Sequence, residues 1–252
     1  MTPRLRSGAV AVALAVAAAA TAGLVRPRPV VTAGRAVTTG LATASSRPEL
    51  LVAVDAGYAR ARLALPEPLT TGAAAAALRA GMRAAADWPA FLKHTGGAAR
   101  DRLDVTLTFT APDEPVRVTR IRVRKAGTAA VFDGTEIAPS AAGAAAEPAA
   151  VTCDLDAPDA VVADATGADA LATRNLELRA GERGTVVIAF TAKRAAYSWS
   201  LLVDWAGGAG TGGTVEITEN GRLFALTGSA SRYDASYVDN SPARGFSLSR
   251  RR

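Results

Sequence analysis

One thiol and one imidazole occur in the chain, and together they could form a cysteine nucleophile with its general base. They are Cys153 and His94, and such pairs meet in space, so their separation in sequence does not exclude catalysis. His94 lies beside the Gly96-Gly97 turn, where a polar surface residue is expected. A lone cysteine in a strand-like context is most often a small buried apolar residue, and it forms no disulfide within the chain. The sequence therefore predicts no catalytic residue and a protein that is not an enzyme.

Five aspartates lie between residues 154 and 169, and calcium prefers several oxygen ligands in a short loop. The first three, Asp154, Asp156 and Asp159, are the candidate ligands, with Asp164 and Asp169 further along. Their spacing does not match the loop of an EF-hand. Aspartate in loops and before proline is also an ordinary turn former. The sequence therefore predicts no metal and no cofactor, with these aspartates as the weak candidates for calcium.

Three tryptophans are the candidate residues for a carbohydrate-binding face. Trp199 alternates with apolar residues along a strand and is expected in the core, and core or rim packing is favoured for the three together. Trp205 ends that strand beside the glycine-rich segment 207–213, where partial exposure is expected. This segment lacks the Lys-Ser/Thr ending of a phosphate-binding loop and no helix follows it, which excludes nucleotide binding there. The nucleophile motif Gly-x-Ser-x-Gly is absent from the sequence.

Helical propensity is concentrated in one alanine-rich region. Ala73–Ala86 predicts a helix that Thr70 or Thr71 can cap, since alanine is the best helix former. Pro89 is expected to interrupt the helix, and Ala90–His94 to add one further turn.

Alternation of apolar and polar residues predicts that most of the remaining chain is β-structure. It is clear in Leu103–Phe109 and in Val116–Val123, where the phase slips at Thr119-Arg120 and predicts a bulge. Asn220-Gly221 predicts a hairpin. Leu50–Val54 and Tyr58–Leu65 predict a first hairpin or one broken edge strand. Further strands are predicted at Ala129–Phe132, Val151–Leu155, Leu176–Leu178, Thr185–Thr191, Tyr197–Val203, Thr214–Thr218 and Leu223–Leu226.

The predicted fold class is mainly β, an immunoglobulin-like β-sandwich with one N-terminal helix and an N-terminal signal or anchor helix. The expected organisation is a signal or anchor at 1–25, a disordered linker at 26–48 and a hairpin and helix segment packing on the core at 49–99. A β-sandwich domain at 100–237 and a disordered basic tail at 238–252 follow. The low-complexity stretch 140–150 is expected to be a loop.

The net charge of +6 is unevenly distributed along the chain. Residues 1–99 carry eleven Arg and Lys against four Asp and Glu, whereas residues 100–240 carry fourteen against nineteen. A folded nucleic-acid-binding domain needs a basic face, so the acidic balance of the body argues against that function. Arg244 and Arg250–Arg252 make the C-terminus basic, either as a contact to acidic lipid or polymer or as a solvated tail.

The N-terminus has the pattern of a secretory signal. Arg4 and Arg6 precede Gly8–Val25, which contains no charged residue, and Ala20-Thr21-Ala22 allows cleavage after Ala22. The alternatives are an uncleaved membrane anchor through residues 8–25, since 18 apolar residues are marginal for a span, and a body retained in the cytoplasm. The preferred interpretation places the body on the extracellular face of the membrane or in the medium.

Six short motifs lie between Leu50 and Tyr237: Asp87-Trp88 with Gly96-Gly97, Thr119–Val123, Asp154–Asp156, Leu176–Glu182, the strand through Trp199, and Glu219–Phe224. Together they resemble a family of uncharacterised actinobacterial proteins that are exported or cross the membrane once. The resemblance implies an exported β-rich domain and no particular activity. It also implies cysteines where this chain has Ala126 and Tyr197, so the disulfide expected from it is absent here.

These patterns favour a non-catalytic binding or structural module of the cell envelope. The expected partner is an envelope protein or polymer, or the membrane through residues 8–25 if that segment is not cleaved. An envelope hydrolase with an unrecognised site is one alternative, and a calcium- or carbohydrate-binding module is the other.

Overall fold

Fifteen strands and two α-helices form most of the residues that the computed structural model describes, which are 50–81, 87–139, 151–171, 176–239 and 245–249. The helices are α1 (Gly72–Ala80) and α2 (Asp87–Thr95). The first strands are β1 (Leu51–Ala56), β2 (Leu63–Leu65), β3 (Ala98–Arg100), β4 (Arg102–Thr110), β5 (Val116–Ala129), β6 (Thr135–Ala138), β7 (Val151–Asp154) and β8 (Ala163–Asp164). The others are β9 (Leu176–Leu178), β10 (Arg183–Thr191), β11 (Ala196–Gly207), β12 (Gly212–Ile217), β13 (Phe224–Thr227), β14 (Ala235–Asp239) and β15 (Phe246–Ser249).

The strands form two sheets that share one hydrophobic core. The small sheet has the order β1-β4-β10-β7-β8, and the large sheet has the order β15-β14-β6-β2-β3-β13-β11-β5-β9, with β12 also paired to β11. Phe190 of the small sheet and Trp199 of the large sheet meet with ring centroids 5.0 Å apart, and Phe224 packs on the same indole. The chain is therefore mainly β, as the sequence predicts.

The period-two pattern of β4 fixes which side of the small sheet is buried. Leu103, Val105, Leu107 and Phe109 are all fully buried, and the residues between them face outward. β4 lies between β1 and β10, and both pairings are antiparallel. The predicted strand is confirmed because the side-chain period of a strand allows only one of its faces to reach the core.

The bulge predicted in β5 is also confirmed. Arg120 lies opposite Asp204 and Val118 lies opposite Trp205, which leaves Thr119 as the extra residue. The Thr119 hydroxyl donates a hydrogen bond to the backbone carbonyl of Asp204 at 3.1 Å. The extra residue restores the inward phase of the strand, because Ile121 is buried after the slip as Val118 is before it.

The N-terminal segment forms neither the predicted hairpin nor one broken edge strand. β1 is an edge strand of the small sheet, whereas β2 lies inside the large sheet between β6 and β3. A single 3-10 turn, Tyr58–Arg60, joins the two strands and buries Tyr58 completely. The prediction was wrong because alternation records which face is buried but not which sheet a strand joins.

The chain also crosses between the sheets at Asp101, which separates β3 from β4. Its backbone has a φ of 64°, a left-handed conformation that aspartate tolerates better than most residues. Its N–H donates to the carbonyl of Thr227 at 2.8 Å, and its carbonyl accepts from the N–H of Ala192 at 3.2 Å. One residue thus forms backbone hydrogen bonds on both sides of the corner.

The helical region is divided differently from the prediction. α1 begins after Thr71, which forms no side-chain capping bond, and ends at Gly81, whose φ is 95°. The predicted continuation through residues 82–86 lies outside the described residues. Pro89 occupies the first turn of α2 rather than interrupting a helix, because the N–H that proline lacks has no partner in a first turn.

Asn220-Gly221 forms the predicted turn, but the two predicted strands do not pair. Positive φ values of 51° and 77° place both residues in a tight turn closed by one bridge between Glu219 and Arg222. β12 and β13 instead lie one after the other along the same edge of β11. The hairpin prediction was wrong because β11 is long enough to pair with both strands.

Two further predictions also need correction. Ala129–Phe132 is not a separate strand, since β5 ends at Ala129 and the next strand, β6, begins at Thr135. The segment beyond Tyr237 is not wholly disordered, because β14 continues to Asp239 and pairs with β15. Phe246 of β15 is buried and packs edge-on against Trp88 at 5.8 Å. This aromatic anchor outweighs the basic composition of the segment.

Three predicted segments lie outside the described residues: the signal or anchor at 1–25 with its cleavage after Ala22, the linker at 26–48 and the low-complexity loop at 140–150. Arg244 and Arg250–Arg252 also lie outside them. Neither helix of the described part of the chain has the length and apolarity needed to cross a bilayer.

Trp199→Ala is expected to lower the free energy of unfolding by about 3–5 kcal/mol, because it removes the side chain that joins the two sheets and leaves a cavity. Trp205→Ala is the matched control, since this half-buried indole lies at the end of the same strand and its loss is expected to cost less. Urea unfolding measures both values. A loss below about 1 kcal/mol for Trp199→Ala contradicts the central role of this contact.

Candidate functional site

Four of the five aspartates considered as calcium ligands bind protein groups close to them, whereas Asp159 lies in the lining of a cleft beside β5. The described residues contain no cluster of three or more His, Cys, Asp or Glu side chains arranged to hold a metal ion. Asp154 accepts a hydrogen bond from the N–H of Asp156 at 2.9 Å, and Asp164 accepts from the N–H of Thr166 at 2.8 Å. Asp169 accepts from the N–H of Leu171 at 3.2 Å. These are Asx turns, the alternative role for aspartate in loops.

Asp156 has a different task, because it joins its loop to the turn between β10 and β11. Its carboxylate accepts hydrogen bonds from the N–H of Lys193 at 2.7 Å, the N–H of Arg194 at 3.2 Å and the hydroxyl of Tyr197 at 2.9 Å. Burial acts to raise the pKa of Asp156, but these hydrogen bonds outweigh it and the pKa lies below its ordinary value. The carboxylate is therefore committed to holding this turn.

The thiol and the imidazole occupy different environments. Cys153 is buried in β7, and burial raises its pKa to about 12, so the thiol is protonated at neutral pH. The charges that act on it are those of Lys125 and Asp154. His94 is exposed on α2 and lines a cavity of about 280 Å³ beside the first turn of α1. No hydrogen bond connects the two residues in the described part of the chain.

The three tryptophans do not share one surface. Trp88 and Trp199 are buried, the former between Phe91 and Phe246. Trp205 is half-buried at the end of β11, where its indole lies against Gly213. A single partly exposed ring remains, whereas a sugar-binding face uses an accessible aromatic platform.

A cleft of about 550 Å³ lies beside β5, and it is larger than the cavity beside α1. This cleft was not singled out from the sequence. It is lined by residues 120–125 of the strand, by residues 158–162 and by Asp169, and is called the β5 cleft below. Val161, on its opposite wall, forms one isolated antiparallel bridge with Arg122. The cleft therefore has a basic strand on one side and a short, partly apolar segment on the other.

Four cationic side chains line the β5 cleft, and they differ in how firmly they are held. Arg122 binds Asp204 through two hydrogen bonds of 2.7 and 3.0 Å, and Thr214 donates to the same carboxylate. Lys125 donates to the carbonyl of Ala157 and lies over the Tyr197 ring, 5.5 Å from its centroid. These contacts fix Arg122 and Lys125 in place.

The other two cations, Arg120 and Arg124, are available to solvent. Arg120 is 59% exposed and its nearest carboxylate oxygen, on Asp169, is 3.5 Å away. Arg124 is 53% exposed and pairs with Glu216. Exposed ion pairs of this kind contribute little to stability, so an external anion can replace the carboxylate at small cost. The cleft can therefore bind anionic groups along one strand.

A second unusual group is a buried carboxyl beside the Asn220-Gly221 turn. Glu219 is 6% exposed, and its carboxyl lies close enough to the fully buried Tyr58 hydroxyl for each group to affect the pKa of the other. Burial raises the pKa of Glu219 to about 7, although Arg222 opposes this. Burial also raises the pKa of Tyr58, with Glu219 adding to it.

Arg222, on the other side of the same turn, connects it to α2. The guanidinium donates to the carbonyl of Pro89 at 3.3 Å and to that of Gly97 at 2.8 Å, at the two ends of the helix. Neither the β5 cleft nor the cavity beside α1 is lined by Glu219 or Tyr58. Sequence reasoning missed this cluster because it treated Asn220-Gly221 as a turn only. The Glu and Arg flanking that turn were the available signal.

Comparison with family models, with curated proteins and with solved structures finds no match to this chain.

Glu219→Gln is expected to make the protein less sensitive to pH. The folded pKa of about 7 lies above the ordinary 4.5, so the folded state holds the proton more tightly. This contribution to stability is complete below about pH 4.5 and is lost as the pH rises through 7, up to about 3 kcal/mol. Urea unfolding from pH 5 to 8.5 should show the wild type losing stability relative to the variant.

The exposed Glu177→Gln variant is the control and should keep the pH dependence of the wild type. Parallel curves for wild type and Glu219→Gln would show that the buried carboxyl does not titrate in this range.

Proposed function

We propose that the chain is an exported or membrane-tethered module of the cell envelope that binds an anionic partner in the β5 cleft without catalysing a reaction. The observation that carries this proposal is the row of cations on β5, of which Arg120 and Arg124 remain more than half exposed. The partner is an envelope protein or polymer that presents several negative charges.

The spacing of the cations favours a repeating ligand over a small one. After the bulge, Arg120, Arg122 and Arg124 are alternate residues of one strand, so neighbouring members are separated by roughly 6.7 Å. Asp204 holds the central guanidinium, which leaves the two outer ones for successive anionic groups of a chain. Val161, which is among the exposed large apolar residues, offers contact to the apolar part of such a ligand.

A second candidate function is an envelope hydrolase, and the raised pKa of Glu219 is the observation that favours it. A carboxyl that titrates near neutral pH suits a general acid or base. Both Glu219 and Tyr58 are buried, however, and a substrate needs access to them. A calcium- or carbohydrate-binding module has less support, since the aspartates form turns and two of the tryptophans are buried.

The proposal keeps the immunoglobulin-like sandwich expected from the sequence and the resemblance to exported actinobacterial proteins. Two sheets with a common core support such an architecture. Leu176–Glu182 supports it as well, because β9 is followed by a turn at Gly181, with a φ of 77°, and then by β10. The fold alone fixes no partner, so the proposal depends on the residues that line the β5 cleft.

The purified protein is expected to bind poly-L-glutamate and inorganic polyphosphate, with an affinity that falls as salt is added. The double variant Arg120→Ala with Arg124→Ala should bind roughly 5–30-fold more weakly, because two exposed cations are removed. Isothermal titration calorimetry measures the affinities.

Arg117→Ala is the matched control, since Arg117 is an exposed arginine of the same strand outside the cleft. Equal losses in the control and the double variant, or no binding of either polyanion, would contradict the proposal.

Export is tested by expressing the full chain in a Gram-positive host with a GC-rich genome and identifying the N-terminal residue by mass spectrometry. A secreted form that begins at Gly23 is expected if the signal is cleaved after Ala22. An intact chain in the membrane, with its body open to protease in whole cells, is expected if residues 8–25 are an anchor. A full-length chain found in the cytoplasm would contradict export.

A further inference from the structure

The outward side of the small sheet presents a regular array of side chains. β1, β4 and β10 pair in register, so their outward residues form three rows of three. This array is called the threonine face, and its rows are Leu51, Thr110 and Arg183; Ala53, Thr108 and Thr185; and Asp55, Thr106 and Val187. The inward residues of the same strands belong to the core, so the array is a true face of the sheet.

The threonine face carries charge at two of its nine positions and is partly apolar. Leu51 is 43% exposed and Val187 is 41% exposed, and both belong to this array. Thr108 and Thr185 lie side by side with their hydroxyl oxygens 3.4 Å apart. Such a surface can be removed from water at small cost, because threonine presents both a methyl group and a hydroxyl that can find a partner.

The two charges of the threonine face occupy opposite corners of the array. Asp55 is on β1 and Arg183 is on β10, and neither forms an ion pair with another described residue. Of the other charges on this side of the sheet, Arg102 and Asp104 pair with each other at 2.8 Å. The buried Glu219 is close enough to Asp55 for the charge of Asp55 to act on it. One free carboxylate and one free guanidinium therefore remain at the ends of a diagonal.

We propose that a second copy of this chain packs on the threonine face, with Asp55 of each copy opposite Arg183 of the other. Strand spacing of about 4.8 Å and outward residues about 6.7 Å apart put these two positions roughly 17 Å from each other. A two-fold axis in the plane of the face, perpendicular to the line that joins them, makes both ion pairs at once. The strands of the two copies then cross steeply, as in orthogonal sheet packing.

The same axis also brings the exposed apolar residues of the array close to their counterparts in the second copy. Leu51 and Val187 occupy the other two corners, so each lies close to the axis and near its own counterpart. The whole outward side of the small sheet, with its three long and two short strands, offers roughly 600 Å² per copy, at the lower end of specific interfaces. We therefore expect a reversible dimer with two ion pairs at its edges.

The test is sedimentation velocity of the full chain, with the strength of self-association measured for charge-reversal variants. Asp55→Arg and Arg183→Asp should each weaken dimerisation at least tenfold, because each places two like charges opposite one another. The double variant Asp55→Arg with Arg183→Asp should recover wild-type association. An equimolar mixture of the two single variants should also associate, since their charges are complementary.

A monomeric wild type at all concentrations would overturn the proposal. Single reversals that leave the dimer unchanged would also overturn it, because self-association would then come from another segment. The proposal would also be overturned if neither the double variant nor the mixture recovered association. Melting curves of the single variants identify any that do not fold, and both positions are exposed on the sheet surface.

Discussion

The contact between Phe190 and Trp199 is the point at which the two sheets meet, and it decides what every strand exposes. Because one side of each sheet must reach this core, period two sends the intervening residues to the surface. On β5 these residues are arginines, and on β4 they are threonines. The β5 cleft and the threonine face are thus two results of the same burial. The β5 cleft is lined by four cationic side chains, whereas the threonine face has only two charged residues.

The strands were predictable where burial alone sets the pattern. β4, β9 and the slip at Thr119 follow from alternation, which is a local property of the sequence. Strand partners were not predictable, because pairing depends on residues distant in the chain. Asn220-Gly221 is the clearest case, since its turn is local but the preference of β12 and β13 for β11 is not. β15 was missed for the same reason, because its anchor, Trp88, lies far away in the sequence.

For the candidate site too, the residue types could be read from the sequence but their surroundings could not. His94, Cys153 and the aspartates could be named from residue type, but their accessibility and partners could not. In the structure Asp156 binds the turn between β10 and β11, and Cys153 lies in the core. The raised pKa of Glu219 arises from burial beside Tyr58, which no spacing in the sequence reveals. Exposed arginines on β5 were visible as a pattern, but the cleft beside them depends on the opposite wall at 158–162.

The attachments of α2 have a consequence for the order in which the molecule assembles. Arg222 bonds both ends of this helix, and Phe246 covers its tryptophan, so its fixed position depends on residues made much later. Contacts of such long sequence separation form slowly, because a large loop must close first. During synthesis Trp88 of α2 therefore lacks its contact with Phe246 until the last strand has emerged. Until Arg222 and Phe246 have been added, α2 has neither the hydrogen bonds near its two ends nor the ring that covers its indole.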